Sequence, residues 1–288
     1  MTHEVSRSHI FDNYTNHCGQ FNSADPSTLF PDYDLNLRAL LPADRTAEVL
    51  DFGCGRGQFL TYLRARGYAR AMGVDLSRSQ IEYCHAQGLA NAYFVEDSLA
   101  FLAEHRNQCS AIVALDVIEH IPKMALPWLK ALCGALQPGG TFIMRVPNIA
   151  AAVGPWTRYM DITHELSFDE RSAAQALEMA GFGATSVAPL KTHYRRRWLG
   201  HGFEFVRRIF YMALKAVYVL QAPGTKAPAI FTILIFGMGK KGSNKTIVSP
   251  SLLNSRSSLS EQDHAYETIT PRYPARSARS PAPHPANR

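Results

Sequence analysis

Short apolar runs alternate with longer segments of helical pattern between residues 48 and 190. Apolar runs of about 4 to 8 residues predict strands, and apolar positions three or four apart predict helices between them. Strands that alternate with helices in this way indicate a parallel sheet with crossover helices. The predicted strands are 48–52, 71–75, 92–95, 111–116, 141–146, 184–190 and 229–236.

Capping residues set the helix boundaries. Ser77 precedes a helical pattern that stops before Gly88, and its hydroxyl can accept a hydrogen bond from the first turn. The main domain is predicted at 47–241. The other predicted helices are 32–41, 57–66, 98–105, 123–136 and 169–180.

Three segments lie outside this alternation. Residues 1–46 are an N-terminal lead-in with helices and aromatic residues, and an insert at about 191–227 separates the last two strands. From 242 to 288 Ser, Pro and Arg dominate, and this tail is predicted to be disordered because it cannot bury enough apolar surface to offset ordering entropy.

Composition narrows the function only a little. The 288 residues carry a formal net charge of +6, a surplus too small to imply nucleic-acid binding. The five cysteines form no CxxC pair, so free thiols and no metal site are predicted. With no apolar leader and no apolar run long enough to span a bilayer, we expect a cytoplasmic protein.

The first strand ends in the glycine turn DFGCGRGQ. Gly53, Gly55 and Gly57 follow a GxGxG spacing, and Gln58 stands where a dinucleotide-binding motif needs its third small residue. Such turns bring the backbone close to a ligand, but this one is less suited to a pyrophosphate.

Three carboxylates follow successive strands beside this turn. Asp51 would repel a pyrophosphate and attract a cation, and Asp75 can accept hydrogen bonds from both ribose hydroxyls. Asp97 is placed to meet the exocyclic amine of a base, although an acid before a helix is also a common N-cap. The set suits a cationic adenosine without phosphates, which describes S-adenosyl-L-methionine.

The region from Val49 to Asn148 resembles a class I S-adenosylmethionine-dependent methyltransferase of the small-molecule type. The resemblance implies an α/β fold with a seven-stranded Rossmann-like sheet, mostly parallel with an antiparallel last strand, and helices on both faces. Five motifs carry it, in order: VLDFGCGRG (49–57), GVDLS (73–77), VEDS (95–98), ALDVIEHIP (114–122) and LQPGGTFIMRVPN (136–148).

The resemblance also implies cofactor contacts. Near the methionine and ribose portions of the cofactor it implies Asp51, Gly53, Cys54 and Gly55. Near the ribose hydroxyls and the adenine it implies Asp75, Leu76, Asp97 and Ser98. Asp116 is implied beside the cofactor at the end of the fourth strand. Cys54 is interpreted as a small space-filling residue and not as a nucleophile.

A hydroxyl acceptor would need a base to take its proton, and histidine titrates in the useful range. His164, in RYMDITHE (158–165), is the preferred candidate, and His120 is the second. The alternatives are that His120 only closes its turn and that His164 only anchors its loop. Asp161 and Glu165 could orient His164 or bind the acceptor, and Arg158 and Tyr159 could contact the acceptor or pack the loop over it.

The acceptor class is less readable. The RYMDITHELSF segment resembles a bacterial subgroup linked to cell-surface glycans, whereas DVIEHI also resembles O-methyltransferases of quinone biosynthesis. We expect oxygen methylation of a glycan or small-molecule hydroxyl, with the lead-in contributing to the acceptor pocket. A catalytically silent cofactor-binding relative is an alternative. A nicotinamide-dependent dehydrogenase is disfavoured by the GxGxG spacing and Asp51, and an RNA acceptor by VPN at 146–148 in place of an asparagine-proline-proline motif.

The insert contains RRRWLGHGFEFVRRIFYMALKAVYVL (195–220), which combines basic and aromatic residues. As a helix it would carry apolar and cationic side chains on different sides. Such a helix can cover the acceptor pocket, lie peripherally on the inner membrane surface or mediate self-association. The sequence leaves these alternatives and the oligomeric state open.

Overall fold

The computed structural model describes residues 11, 25–121, 125–194 and 197–243, except for the side chains of 197–199. Within them the strands are β1 (Val49–Phe52), β2 (Ala71–Asp75), β3 (Ala92–Phe94), β4 (Cys109–Leu115), β5 (Leu136–Pro147), β6 (Ala184–Pro189) and β7 (Leu234–Lys240). The α-helices are α1 (Phe30–Asn36), α2 (Gln58–Ala65), α3 (Arg78–Ala86), α4 (Ser98–Glu104), α5 (Ala125–Ala135), α6 (Gly154–Tyr159), α7 (Glu170–Met179) and α8 (Arg197–Gln221).

The seven strands form one sheet in the order β3-β2-β1-β4-β5-β7-β6. The first five strands run parallel, whereas β7 pairs antiparallel with both β5 and β6. The predicted fold class is therefore confirmed. The chain builds outward from β1 in one direction and from β4 in the other, so a topological switch point lies between these two strands, where open α/β sheets bind ligands.

The central strands are apolar because both faces of the sheet are covered. Every residue of β1 is buried, and Ile112 of β4 and Phe142 of β5 are fully buried in the core. Each large apolar side chain removed from water in this way stabilises the fold by about 1.5–3 kcal/mol. Asp51 is the polar exception within β1, which singles it out before any site is considered.

Side-chain caps fix the starts of three helices. Ser77 accepts a hydrogen bond from the Gln80 backbone N–H, which confirms the predicted cap of α3. Asp97 caps α4, and Asp169 forms a capping box at the start of α7. Because α3 and α4 follow β2 and β3 directly, these caps also fix the loops at the carboxyl ends of those strands.

Two predicted boundaries were wrong in the N-terminal and central parts. The helix predicted at 32–41 is α1 at 30–36, because its Leu37 cap leads into a tight turn in which the Leu40 N–H donates to the Leu37 carbonyl. The strand predicted to start at Thr141 begins at Leu136, because Leu136 already pairs with Cys109 of β4. The pairing is irregular between Leu136 and Thr141, where Gly139 has a positive φ of 81°.

The last strand lies four to five residues further along the chain than the predicted 229–236. The backbone before it is bound by side chains instead of by a neighbouring strand. Glu170 accepts from the N–H groups of Ala229 and Ile230, and the Asn148 amide donates to the carbonyls of Ile230 and Thr232. The glycines at 237 and 239 are required by packing, since a Cβ at Gly239 would lie 2.6 Å from the Phe182 ring.

The insert forms α8, a 25-residue helix. Its inner side packs through Tyr211 and Tyr218, whose rings lie 5.8 Å from that of Phe231. No helix in the described part of the chain is long and apolar enough to cross a membrane. A role of residues 195–220 as a lid, as a membrane-surface helix or in self-association stays a prediction. The tail predicted at 242–288 lies outside the described residues, except for 242 and 243. The outer side of α8 exposes apolar side chains, among them Phe203, Phe205, Val206, Met212 and Leu220.

Candidate active site

The glycine turn lies between β1 and α2, at the switch point of the sheet. Gly53, Gly55 and Gly57 have positive φ angles of 75°, 51° and 75°, a backbone conformation that residues other than glycine rarely adopt. A Cβ at Gly53 would lie 2.4 Å from Val117 Cγ2. A Cβ at Gly55 would instead point into open space, with no described heavy atom within 4 Å, so the turn presents bare backbone there.

Asp51 lies beneath this turn and is only 2% exposed. Its Oδ2 atom has no hydrogen-bond partner among the described residues. Burial, with a smaller contribution from the nearby Asp75 charge, raises the pKa of Asp51 to about 8. A buried carboxyl of this kind is energetically costly unless a cation or a donor meets it.

Asp75 ties the end of β2 to the glycine turn. Its Oδ2 accepts a 2.8 Å hydrogen bond from the Gly55 N–H, and its Oδ1 accepts one of 2.8 Å from the Ser77 N–H. Each carboxylate oxygen has a second lone pair that can accept from a ligand hydroxyl. Leu76, between Asp75 and Ser77 in the sequence, is partly buried. The bond from Gly55 to Asp75 brings the predicted cofactor residues of β1 and β2 together.

The third carboxylate is used by its own helix. Asp97 Oδ1 accepts from the N–H groups of Leu99 and Ala100, each at 3.0 Å. Ser98 is the first residue of α4. The N-cap interpretation of Asp97 is therefore present in the structure, and an adenine contact by Asp97 and Ser98 stays a prediction.

Asp116, after β4, has a positive φ of 57° and forms a two-pronged ion pair with Arg145 of β5. The Arg145 Nε donates to Asp116 Oδ1 at 3.0 Å, and Nη2 donates to Oδ2. Burial acts to lower the pKa of Arg145, but the charge and hydrogen bonds of Asp116, with smaller contributions from Tyr33 and Glu119, together raise it above its usual value. The sequence analysis missed Arg145, although a lone cation within the apolar run TFIMRVP needs a buried partner.

Tyr33 of α1 was also missed. It is buried, and its ring lies 5.2 Å from Phe59 of α2. Burial raises its pKa, the Arg145 charge opposes that shift, and the Asp51 and Asp116 charges add to it. The lead-in helix therefore reaches the same edge of the sheet as the glycine turn. Only its aromatic spacing signalled this in the sequence.

His120 and His164 were predicted as alternative bases, and the structure places them side by side. Their ring centroids are 4.7 Å apart, with an interplanar angle of 60°. His120 is 9% exposed and lies in the 3-10 turn that follows β4 (Ile118–His120), whereas His164 follows α6. Burial, and then the neighbouring His164, lowers the pKa of His120 to about 4, so this ring is neutral at pH 7.

Hydrogen bonds define the orientation of both rings. His164 Nδ1 lies 2.9 Å from the Thr157 carbonyl oxygen, and His120 Nδ1 lies 2.8 Å from Thr163 Oγ1. The Thr163 hydroxyl in turn donates to Asp161 Oδ1 at 2.6 Å. Asp161, expected to orient His164 or bind an acceptor, thus acts on His120 through Thr163, a residue that the sequence analysis did not select.

Glu119 completes the group. It is 1% exposed, and its Oε2 has no hydrogen-bond partner among the described residues. Burial raises its pKa well above the usual value, and the Asp116 charge adds to this shift. One ligand atom from each of Glu119, His120 and His164 lies within 4.8 Å of the others. The backbone carbonyl of Glu119 also accepts from the N–H groups of Glu165 and Leu166, which joins the two segments.

The remaining predicted acceptor residues lie at the rim. The Arg158 guanidinium donates to the Glu165 carbonyl at 3.3 Å and lies over the Tyr159 ring. Tyr159 is 79% exposed, so neither residue faces an enclosed pocket here. Phe11 of the lead-in packs edge-on against His120, with ring centroids 5.8 Å apart. A lead-in contribution to the acceptor pocket stays a prediction.

The site fits S-adenosylmethionine on two observations. The bare backbone at Gly55 leaves space that a side chain would fill. The buried Asp51 carboxyl has an oxygen that meets no hydrogen-bond partner in the described part of the chain and that suits a cationic group. Asp51, the glycine turn and Asp75 would hold the methionine and ribose portions. His120 follows the adjacent strand β4, at the same edge of the sheet, and His164 packs against it from the segment after α6.

Comparison with known proteins identifies the family to which the chain belongs. Residues 27–187 match the family model described as a methyltransferase domain. A ubiquinone biosynthesis O-methyltransferase of Marinobacter nauticus is 28% identical over 136 residues, which are 43% of this chain and 56% of that protein. A trans-aconitate 2-methyltransferase of Deinococcus radiodurans is 27% identical over 55% of this chain and 66% of its own length.

Solved structures share the fold at low identity. An S-adenosylmethionine-dependent methyltransferase from Archaeoglobus fulgidus has a TM-score of 0.54 at 18% identity, covering 81% of this chain and 98% of its own. Phosphoethanolamine N-methyltransferase 2 of Haemonchus contortus, solved with S-adenosylhomocysteine, has a TM-score of 0.53 at 17% identity, covering 82% of this chain and 58% of its own. The curated relatives are thus matched over roughly half to two thirds of their length.

Proposed function

We propose, from the premise that this chain belongs to the methyltransferase domain family, that it moves a methyl group from S-adenosylmethionine to a hydroxyl of a small-molecule or glycan acceptor. The observation that carries the proposal is the pairing of the buried His120 with the half-buried His164, at the edge of the sheet where the glycine turn also lies. An acceptor that loses a proton needs such a group within reach, because proton transfer by a positioned side chain contributes about 10²- to 10⁴-fold.

Each part of the site has a separate task in this proposal. S-adenosylmethionine supplies a methyl group that its sulfonium charge already activates. Asp75 and the glycine turn bind and orient the nucleoside portion, and the Asp51 carboxylate faces its cationic end. Orientation is the main contribution required of the protein, because alignment of the two reactants removes much of the entropic barrier.

His164 is the proposed proton acceptor. The Thr157 carbonyl can only accept a hydrogen bond, so His164 Nδ1 carries the ring proton and Nε2 keeps its lone pair. As the acceptor oxygen takes the methyl group, its proton passes to Nε2. The relatives support an oxygen acceptor, since one is named a ubiquinone biosynthesis O-methyltransferase. A quinone-precursor phenol is the alternative to a sugar hydroxyl.

Transfer of label tests the proposal. The protein would be incubated with S-adenosylmethionine tritiated in its methyl group and, separately, with a dihydroxybenzoate, a free hexose and a primary amine such as histamine. Label is expected on a hydroxyl-bearing acceptor and not on histamine. Transfer to the amine alone, with none to either hydroxyl acceptor, would contradict oxygen methylation. A preference for the phenol over the hexose would select the quinone-precursor alternative.

A further inference from the structure

We propose that Glu119, His120 and His164 form a binding site for one divalent transition-metal ion, with Zn²⁺ as the best-fitting ion, beside the cofactor-binding turn. The sequence alone predicts no metal site, because the cysteines lack metal-like spacing and the two histidines are read as alternative bases. The structure brings the three side chains together, with one ligand atom of each within 4.8 Å of the others. The contact between His120 and Thr163, which are 43 positions apart in the sequence, joins the two segments that carry them.

The spacing of the three side chains suits a metal ion. One ligand atom from each residue lies within 4.8 Å of the others. Zn²⁺ binds nitrogen and oxygen ligands at about 2.0–2.2 Å, so tetrahedral ligand atoms are roughly 3.4 Å apart. Side-chain rotations that shorten these separations by at most about 1.4 Å would therefore complete the site.

The hydrogen bonds of His164 select the nitrogen that would bind the ion. Its Nδ1 donates to the Thr157 carbonyl at 2.9 Å, which leaves the Nε2 lone pair as the ligand. Metal-binding histidines commonly donate their other ring N–H to a backbone carbonyl or carboxylate, because this fixes the tautomer and raises ligand basicity.

His120 is oriented by a longer chain that ends in a carboxylate. The Thr163 hydroxyl donates its only hydrogen to Asp161 Oδ1 at 2.6 Å, so it can only accept from His120 Nδ1 at 2.8 Å. The lone pair of His120 is therefore also on Nε2. Asp161 and Thr163 are positioning residues in this account, since they act on the ion only through His120.

Glu119 supplies the charge that a cation needs. It is 1% exposed, and its Oε2 has no hydrogen-bond partner among the described residues. A buried carboxyl without a partner is unfavourable, and a bound cation would compensate for it. The raised pKa of Glu119 in the metal-free protein has the same origin, namely burial.

The ligand set indicates the ion. Two imidazoles and one carboxylate suit Zn²⁺ and other transition metals, whereas Mg²⁺ prefers oxygen ligands alone. Three protein ligands leave a position open for a further oxygen, as in catalytic zinc sites.

The role of the ion rests on the proposed function. An acceptor hydroxyl bound at the open position would have a lowered pKa, as metal-bound water does, and would release its proton to solvent. The resulting oxygen would take the methyl group as the carbon–sulfur bond breaks, and the sulfur would keep the electron pair. In the metal-bound enzyme His164 would then be a ligand, and the ion would replace it as the means of activating the hydroxyl.

Metal binding can be measured without any acceptor. Tag-free full-length protein, stripped with EDTA and dialysed, would be titrated calorimetrically with Zn²⁺, Mn²⁺ and Mg²⁺. We expect one Zn²⁺ per chain, bound at least about 100-fold more tightly than Mg²⁺. Weak Zn²⁺ binding without a defined stoichiometry, or equal affinity for Mg²⁺, would overturn the site whether or not the protein transfers methyl groups.

Three variants assign the site to its ligands. His164→Ala and Glu119→Gln should each lower Zn²⁺ affinity at least about tenfold, and Thr163→Val should lower it less, because it disturbs only the orientation of His120. His201→Ala, an exposed histidine on α8, is the matched control and should bind Zn²⁺ like the unaltered protein. S-adenosylhomocysteine affinity reports whether each variant is folded. A folded His164→Ala protein that keeps full Zn²⁺ affinity would contradict the proposal.

Discussion

The two halves of the candidate site are built differently. At the cofactor half, Asp51, the glycine turn and Asp75 come from two adjacent strands and the loops directly after them. A 2.8 Å hydrogen bond from the Gly55 N–H to Asp75 helps to join the turn to the end of β2. At the acceptor half, Glu119 and His120 meet Thr163 and His164 from a separate segment. The comparison shows that the predicted cofactor-binding residues are local features of strand ends, whereas the residues proposed for proton transfer are brought together by a loop distant in sequence.

The largest effect is expected at the acceptor half. His164→Ala should lower turnover by about 10²- to 10⁴-fold, because it removes the lone pair that takes the proton or holds a metal ion. S-adenosylhomocysteine affinity should stay within about twofold, since His164 lies outside the glycine turn. Initial rates with tritiated S-adenosylmethionine, beside calorimetry on the same preparation, measure both. Normal turnover in the variant would remove His164 from the chemistry and end the distinction between the halves.

At the cofactor half, Asp75→Ala should weaken S-adenosylhomocysteine binding by about 10- to 150-fold. This corresponds to about 1.5–3 kcal/mol for a hydrogen bond to a charged group. The variant also frees the Gly55 and Ser77 N–H groups, so Asp75→Asn, which keeps the shape of the side chain, is the companion variant. An unchanged affinity in both would exclude Asp75 from the cofactor site.

A pair of glycine variants separates ligand space from backbone strain. Gly55→Ala and Gly88→Ala both place a Cβ at positive φ, 51° and 74°, with no described heavy atom within 4 Å. Each should cost about 1 kcal/mol of unfolding free energy, measured by urea denaturation. Only Gly55→Ala should also weaken S-adenosylhomocysteine binding, by about tenfold, since its Cβ points into the proposed ligand space. Equal affinities in the two variants would place the cofactor elsewhere.

A smaller effect follows from the raised pKa of Asp51, about 8 in the ligand-free protein. Below that pH Asp51 holds a proton, and a cationic ligand favours its release. S-adenosylhomocysteine affinity should therefore rise between about pH 6 and 7.5, by at most tenfold per pH unit. Calorimetry in buffers of different ionisation enthalpy should detect the released proton. The same slope in Asp51→Asn would assign the dependence to another group.

The stability of the ligand-free protein should fall as pH rises, opposite to the expected rise in S-adenosylhomocysteine affinity. The pKa of Asp51 is higher in the folded protein than the value of about 3.9 for an unfolded chain, so the folded state binds more protons between these values. The free energy of unfolding of the ligand-free protein should thus receive a contribution that falls as pH rises from about 4 to 8. Asp51→Asn should reduce that fall, and an unaltered pH dependence would contradict the shift.

The cofactor half could be predicted from the sequence because its residues lie in contiguous motifs. Ser77 and Asp97 even appear with the predicted or alternative capping role. Arg145 and Tyr33 were missed, since their pairing with β4 and α2 is a long-range contact. The position of the last strand was harder to predict. The side chains of Glu170 and Asn148 bind the backbone of residues 229–232, so β7 begins further along the chain than predicted.

The acceptor half could be predicted only in part. The sequence identified His120, His164 and Asp161, but it did not show that the two histidines adjoin or that Thr163 connects His120 to Asp161. Periodicity gives no information on such contacts between a 3-10 turn and an irregular loop. Burial of Glu119 was equally unreadable, since a glutamate after a strand is more often exposed.

The central claim is that the glycine turn and its carboxylates bind a cationic adenosine without phosphates. Calorimetric titration of the full-length protein with S-adenosylhomocysteine and, separately, with NAD tests it most directly. The account predicts one S-adenosylhomocysteine bound per chain and at least about 100-fold weaker binding of NAD, a difference of roughly 2.7 kcal/mol. No heat with S-adenosylhomocysteine, or tighter binding of NAD, would contradict it.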